Sequence, residues 1–192
     1  KGNTYFGFFS KPALAQQVGI REAKLYAVSP AELSRAKSFD YPQTGLFPKT
    51  QMRMIDRVET FVADGGPAGL GFIRGTKTVN PDEWFFKAHF FEDPVCPGSL
   101  GLESFLQLLK VVMAEKFEVG DSGRMEAIGV GHPHEWVYRG QILPTDKLVT
   151  VEAVVTAIDE EQRLIRADGY LSVDGRNIYG MKDFSAVYRE AK

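Results

Sequence analysis

Cysteine and histidine are scarce in this sequence: among 192 residues there is one cysteine, Cys96, and three histidines. A lone cysteine excludes an internal disulfide framework and suits a reducing, cytoplasmic setting. Membrane-length apolar runs are missing too, since nothing approaches the roughly 20 residues that a spanning helix needs. The N-terminus shows no signal-peptide pattern. Basic charge is not in excess: 23 Lys and Arg stand against 25 Asp and Glu, for a net charge of −2. That balance excludes the cationic stripe on which nucleic-acid binders rely. The chain opens on Lys1 without a methionine, which suggests a segment of something longer.

What is present belongs to a globular domain. Hydrophobic residues make up 44% and charged residues 25%, and a chain of this length buries a core without help from metals or bridges. Residues 52–62 and 69–78 read as two strands joined through Asp64-Gly65-Gly66-Pro67, a hairpin. A dense aromatic cluster follows, Trp84-Phe85-Phe86 with Phe90-Phe91, and Asp93-Pro94 and Pro97-Gly98 interrupt it before a helix can run on. The strongest helix signal covers residues 100–117, with Ser99 as the expected N-cap. Its apolar positions, Leu100, Leu102, Phe105, Leu106, Leu108, Leu109, Val111, Val112 and Met113, cover more than one face, so the helix should be buried. Past Gly120-Asp121-Ser122-Gly123 the texture turns to strands, at 136–138, 148–155, 164–173 and 178–187. The sum is an α+β plan, most economically an antiparallel sheet curled around the long central helix.

Residues 1–48 fall outside this pattern and read as a linker, with Pro30, Pro42 and Pro48, ahead of a domain at 49–192. Gly2-Asn3-Thr4-Tyr5-Phe6-Gly7-Phe8 loosely echoes Gly175-Arg176-Asn177-Ile178-Tyr179-Gly180-Met181, as if the closing strand of a preceding module stood at the start. On this reading a chain beginning near Phe47 should fold by itself.

The chemistry concentrates between His89 and Gln107. A histidine precedes a Pro-Gly turn, and the turn feeds a buried helix that carries a carboxylate in its second turn. Elimination of water from a 3-hydroxyacyl thioester needs a base at C2, a proton donor at the hydroxyl and a holder for the carbonyl oxygen. His89 suits the base, because histidine is the side chain type whose unperturbed proton exchange falls near neutrality. Glu103, flanked by Leu102, Phe105 and Leu106, suits the acid, because apolar surroundings disfavour its charged form. Gly98 at the helix start offers an unobstructed amide to an enolate-like oxygen, and Gln107, one turn beyond Glu103, can orient the carboxyl. Plainer roles fit other residues. Ser99 lacks the Gly-x-Ser-x-Gly elbow of a serine hydrolase. His132 and His134 lack a clear third ligand, so no metal is expected. Cys96 suits a pocket wall better than a nucleophile.

The string His-Phe-x-x-Asp-Pro-Val-x-Pro-Gly-x-Leu-Gly-x-Glu, from His89 to Glu103, resembles the active-site signature of the β-hydroxyacyl-acyl-carrier-protein dehydratases. More narrowly, residues 84–109, 61–66 and 138–144 resemble the dehydratase domains of polyunsaturated fatty acid synthases, which are large polyketide-synthase-like proteins. The resemblance implies a hotdog fold, with His89 as base, Glu103 as acid and Gly98 as the carbonyl-binding amide. It implies a substrate carried on the phosphopantetheine of an acyl carrier protein, with no other cofactor. It also implies a homodimer, or a pseudo-dimer with a neighbouring module, in which His89 meets the acid of the other unit. Two positions depart from the pattern. Cys96 replaces a common methionine and should reshape the pocket, and Glu103 stands where the double-bond-isomerising branch has aspartate. An acyl-thioesterase on the same fold and a catalytically silent pairing module are the competing readings.

Overall fold

Three long strands set the frame: β6 (Leu148–Asp159), β7 (Leu164–Val173) and β8 (Arg176–Arg189) form an antiparallel meander. They are numbered after β1 (Lys37–Asp40), β2 (Arg57–Val62), β3 (Phe72–Thr78), β4 (Arg124–Ala127) and β5 (Glu135–Tyr138). The computed structural model describes residues 10–190 except 44, 118 and 120–122. The β7–β8 turn follows from its residues. Asp174 and Gly175 both have positive φ, at 47° and 82°, between paired Val173 and Arg176. Two such residues make the tight turn whose twist matches its strands.

All pairings are antiparallel, and the order is β1-β2-β3-β6-β7-β8. Both β4 and β5 pair with β8, at its C-terminal and central parts respectively. One face of this sheet holds the long helix α4 (Gly98–Lys116), numbered after the short helices α1 (Lys11–Ala15), α2 (Pro30–Leu33) and α3 (Trp84–Ala88). The helix packs on β3, β6, β7 and β8. Phe105, Leu108, Leu109, Val112 and Met113 are fully buried there, with Ile73, Val151, Ala153, Leu171 and Phe184 from the sheet. The expected sheet curled around a central helix is the one found.

The helix sits low because the sheet is thinned beneath it. A Cβ at Gly169 on β7 would meet the Phe105 ring and the carbonyl oxygen of Glu152, and one at Gly101 on α4 would meet the Tyr179 ring. Backbone on one side of Gly169 leaves no cheap relief. Gly169→Ala is therefore expected to cost about 1–3 kcal/mol through overpacking, read as a lower Tm; an unchanged melt would show that the strand can shift.

Two expectations need correction. Ser99 is not the N-cap of α4: Pro97 holds that place, with φ −53° and ψ 132°, and no side chain caps the helix. The Pro97 carbonyl already accepts the Leu100 N–H at 3.0 Å, so the helix starts at Gly98. The aromatic cluster is not merely irregular, since its first half winds into α3.

Residues ahead of 49 also pack on the domain. The sheet reaches back to β1, whose Lys37, Phe39 and Asp40 pair with Phe61, Val58 and Arg57. Tyr41 is buried and donates its hydroxyl to the Gln107 carbonyl at 2.9 Å. Further upstream, the buried Glu32 accepts from Ser29 N, Ser29 Oγ, Tyr26 Oη and Gly66 N at 2.7–3.0 Å. A division at residue 48 would cut through this packing. Alternation is weak over four residues of an edge strand, which hides β1 from a pattern search. The Gly2–Phe8 echo lies outside the described residues. Among those described, no helix is long and apolar enough to cross a membrane.

Candidate active site

The two ends of the His89–Glu103 string are set by different elements. α3 stops at His89, its C-cap, whose N–H reaches the Phe85 carbonyl at 3.0 Å. The half-buried imidazole stacks on Phe90, with ring centroids 3.9 Å apart, and Nδ1 lies 3.0 Å from the Val95 carbonyl oxygen. A carbonyl only accepts, so Nδ1 carries the hydrogen in this bond, which in the neutral ring leaves the lone pair on Nε2. The geometry therefore selects the tautomer that a base needs.

The turn between them is anchored at Cys96, whose N–H donates to the Ile142 carbonyl at 3.0 Å. Its side chain is buried, and burial, followed by the nearby Glu83 charge, pushes the thiol up to about 12. Cys96 is thus a wall group and holds no thiolate near neutrality. At the helix start, a Cβ on Gly98 would lie 3.1 Å from Tyr138 and 3.2 Å from Trp136. The aromatics of β5 close over the first turn of α4, where free amides and the helix dipole favour a developing anion.

Glu103 sits one turn further, its side chain 25% exposed. Its Oε1 accepts from Gln107 Nε2 at 3.0 Å and from Lys110 Nζ at 3.3 Å. Gln107 is fully buried and held at both ends: Nε2 also donates to the Met52 carbonyl at 2.8 Å, and Oε1 accepts the Met54 N–H at 2.8 Å. This fixes which end of the amide faces the carboxylate. The surroundings of Glu103 are not purely apolar as expected, since Lys110 enters from two turns along the helix. Sequence patterning passes over Lys110 because it stands between Leu109 and Val111, within the most apolar run.

A small apolar pocket opens between α3, α4 and the sheet. Met54, Val79, Phe86, Cys96, Leu100 and Ile142 line it, and the ion pair of Lys77 and Glu83, 2.9 Å apart, borders it. Cys96 and Leu100 belong both to this wall and to the flanks of the helix start. Tyr179 is a further site neighbour that no sequence pattern marks. Its buried hydroxyl lies beside Gly101 and next to the Tyr138 ring, and burial drives its pKa well above the usual phenol value.

The structure does not bring every candidate together. No hydrogen bond joins His89 to Glu103 within the chain among the described residues. Phe90, Phe91, Trp136 and Tyr138 around the site are exposed, Phe91 at 92%. His134 packs on Phe184 with ring centroids 4.6 Å apart. Among the described residues no group of three His, Cys, Asp or Glu side chains could hold a metal ion.

The sequence model of the FabA-like domain family matches residues 47–182. One of the subunits of the polyunsaturated fatty acid synthase of Thraustochytrium sp. (strain ATCC 26185 / S-3) is 33% identical over 203 aligned residues, which span 93% of this chain and 14% of that protein. Among solved structures, the dehydratase heterocomplex ApeI:P from Xenorhabdus doucetiae superposes with a TM-score of 0.51 at 13% identity, covering 76% of this chain and 87% of that one. The fluoroacetyl-CoA thioesterase FlK superposes with a TM-score of 0.48 at 11% identity, covering 62% of this chain and 85% of that one.

Proposed function

Because this chain belongs to the FabA-like domain family, and the matched residues 47–182 contain both His89 and Glu103, we propose that it dehydrates 3-hydroxyacyl thioesters to trans-2-enoyl thioesters. The hotdog fold alone would serve several chemistries. The observation that carries the reading is the far-side support of both groups: Val95 turns the lone pair of His89 outward, and Gln107 holds the carboxyl of Glu103.

In the proposed reaction His89 Nε2 takes the proton from C2 of the acyl chain. The electron pair released forms the C2–C3 double bond, the C3–O bond breaks, and Glu103 delivers a proton to the departing hydroxyl, which leaves as water. Charge that gathers on the thioester oxygen meets the Gly98 amide at the positive end of α4. Water elimination transfers no net electrons, so the scheme balances without a redox cofactor. The substrate is carried on the phosphopantetheine of an acyl carrier protein, and its acyl chain enters the pocket walled by Cys96 and Leu100. Hydrolysis by an acyl-thioesterase would instead release a free thiol, so a thiol reagent beside an enoyl readout separates the two activities.

The site is completed by a second hotdog unit, either another copy or a neighbouring module of a longer protein. The exposed aromatics beside His89 and the lack of a bond between His89 and Glu103 within one chain support this arrangement. Mixing His89→Ala with Glu103→Ala under verified subunit exchange tests it. A mixed dimer carries both lesions in one shared site and neither in the other. About half the dimers are mixed, so roughly a quarter of wild-type activity should return for a closed two-fold pair. No recovery would rule out sharing between copies.

A further inference from the structure

We propose that Lys110 is a positioning residue for Glu103, and that its ammonium and the Gln107 amide together reserve Oε2 as the oxygen that handles the reacting proton. This rests on the dehydratase reading above. Positions 103, 107 and 110 share one face of α4, so three polar side chains line up within a buried helix. Gln107 Nε2 divides its hydrogens between the Met52 carbonyl and Glu103 Oε1, at 2.8 and 3.0 Å. It contributes one bond to the carboxylate, and one bond leaves the group free to swing about it. The Lys110 ammonium supplies the second, at 3.3 Å and on the same oxygen.

Lysine normally carries its charge into water, yet this side chain is only 17% exposed and its ammonium is directed at Glu103. Tyr41, the other polar group packed here, does not compete, because its hydroxyl donates to the Gln107 backbone carbonyl. With both donors on Oε1, Oε2 has no hydrogen bond from the described residues. It is the oxygen free to face a substrate hydroxyl or the histidine of a second unit.

The test compares Lys110→Met, Lys110→Arg and Glu103→Gln with the wild-type protein, using a 3-hydroxyacyl pantetheine thioester. Lys110→Met should lower kcat about 10- to 100-fold, as misplacing a reacting group does, with KM within about 3-fold, since Lys110 touches no substrate. Lys110→Arg, which keeps a cation in reach of Oε1, should recover most of kcat. Wild-type kcat in Lys110→Met, or equal losses in the Met and Arg variants, would overturn the proposal. Glu103→Gln separates the positioning role from the acid role. If it is inactive while Lys110→Met is normal, only the positioning claim fails; if it is fully active, the acid assignment fails and the positioning claim with it. Crystals of Lys110→Met give a readout independent of turnover. They should show the Glu103 carboxylate in more than one rotamer, and a single, unmoved carboxylate would count against Lys110 even if the wild-type protein formed no enoyl product.

Discussion

Conversion of a 3-hydroxyacyl thioester to its 2-enoyl product should fall about 10²- to 10⁴-fold when His89 is replaced by alanine, the usual cost of losing a general base. The thermal melt should move little. His89 terminates α3, half-buried, and its side chain meets the Val95 carbonyl and the exposed Phe90 rather than the core. Alanine leaves the backbone cap on Phe85 in place, since that bond uses only the His89 N–H. The contrast between an intact melt and lost turnover is the decisive part, measured on one preparation by calorimetry and an enoyl absorbance assay. A folded His89→Ala protein that turns over like wild type would remove the base from the scheme, and the scheme with it.

A chain that starts at Phe47 is expected to lose its stable fold, although sequence patterning alone would place the domain start there. The cut removes β1 and so bares the edge of β2, where Val58 and Phe61 are now buried. It also removes Tyr41 from the core. Emptying one large aromatic site costs about 3–5 kcal/mol, a large part of the roughly 5–15 kcal/mol by which a typical domain is stable. Glu32 goes as well, and it holds α2 to the β2–β3 turn through Gly66. Ser29 backbone and hydroxyl donors, against an opposing burial effect, keep its carboxyl at about 2 where 4.5 is usual. The folded value is the depressed one, so this contribution is full above about 4.5 and fades as pH falls toward 2. The truncated chain should aggregate or melt far below the full chain. Equal melting temperatures would mean that residues 1–46 merely lie on a finished domain.

How much of this is readable in the sequence depends on the length scale of each signal. Residues 164–173 read as a strand and are β7 to the residue, because ten positions with strong β-formers leave little ambiguity. α4 is legible from the clustering of Leu, Val and Met, but patterning misplaces its start by two residues. Ser99 has the chemistry of a cap, whereas the fixed φ of Pro97 decides where the helix begins. Within the candidate site, Gln107 is found because spacing of four on a helix is a local rule, and the bond to Glu103 is there at 3.0 Å. The pinning of Gln107 by Met52 and Met54 is not legible, since it joins residues more than fifty positions apart. Tyr41 and Tyr179 escape for the same reason. Their roles are set by where β8 and the residue that follows β1 meet α4, and no short window of sequence carries that.

The pairing of β3 with β6 bears on how this chain is made. Thr78 lies opposite Leu148, so the nearest partner residues are 148 − 78 = 70 positions apart in the chain. At a ribosomal rate of about 5–20 residues per second, β3 waits roughly 4–14 s for its partner. Throughout that interval β1, β2 and β3 are complete with the inner edge of β3 unpaired, and α4 emerges with its apolar surface uncovered. β6, β7 and β8, by contrast, meet their neighbours almost as soon as they are synthesised. The nascent N-terminal half is therefore the part exposed longest before its partners arrive, and the register of a single strand pair sets how long that exposure lasts.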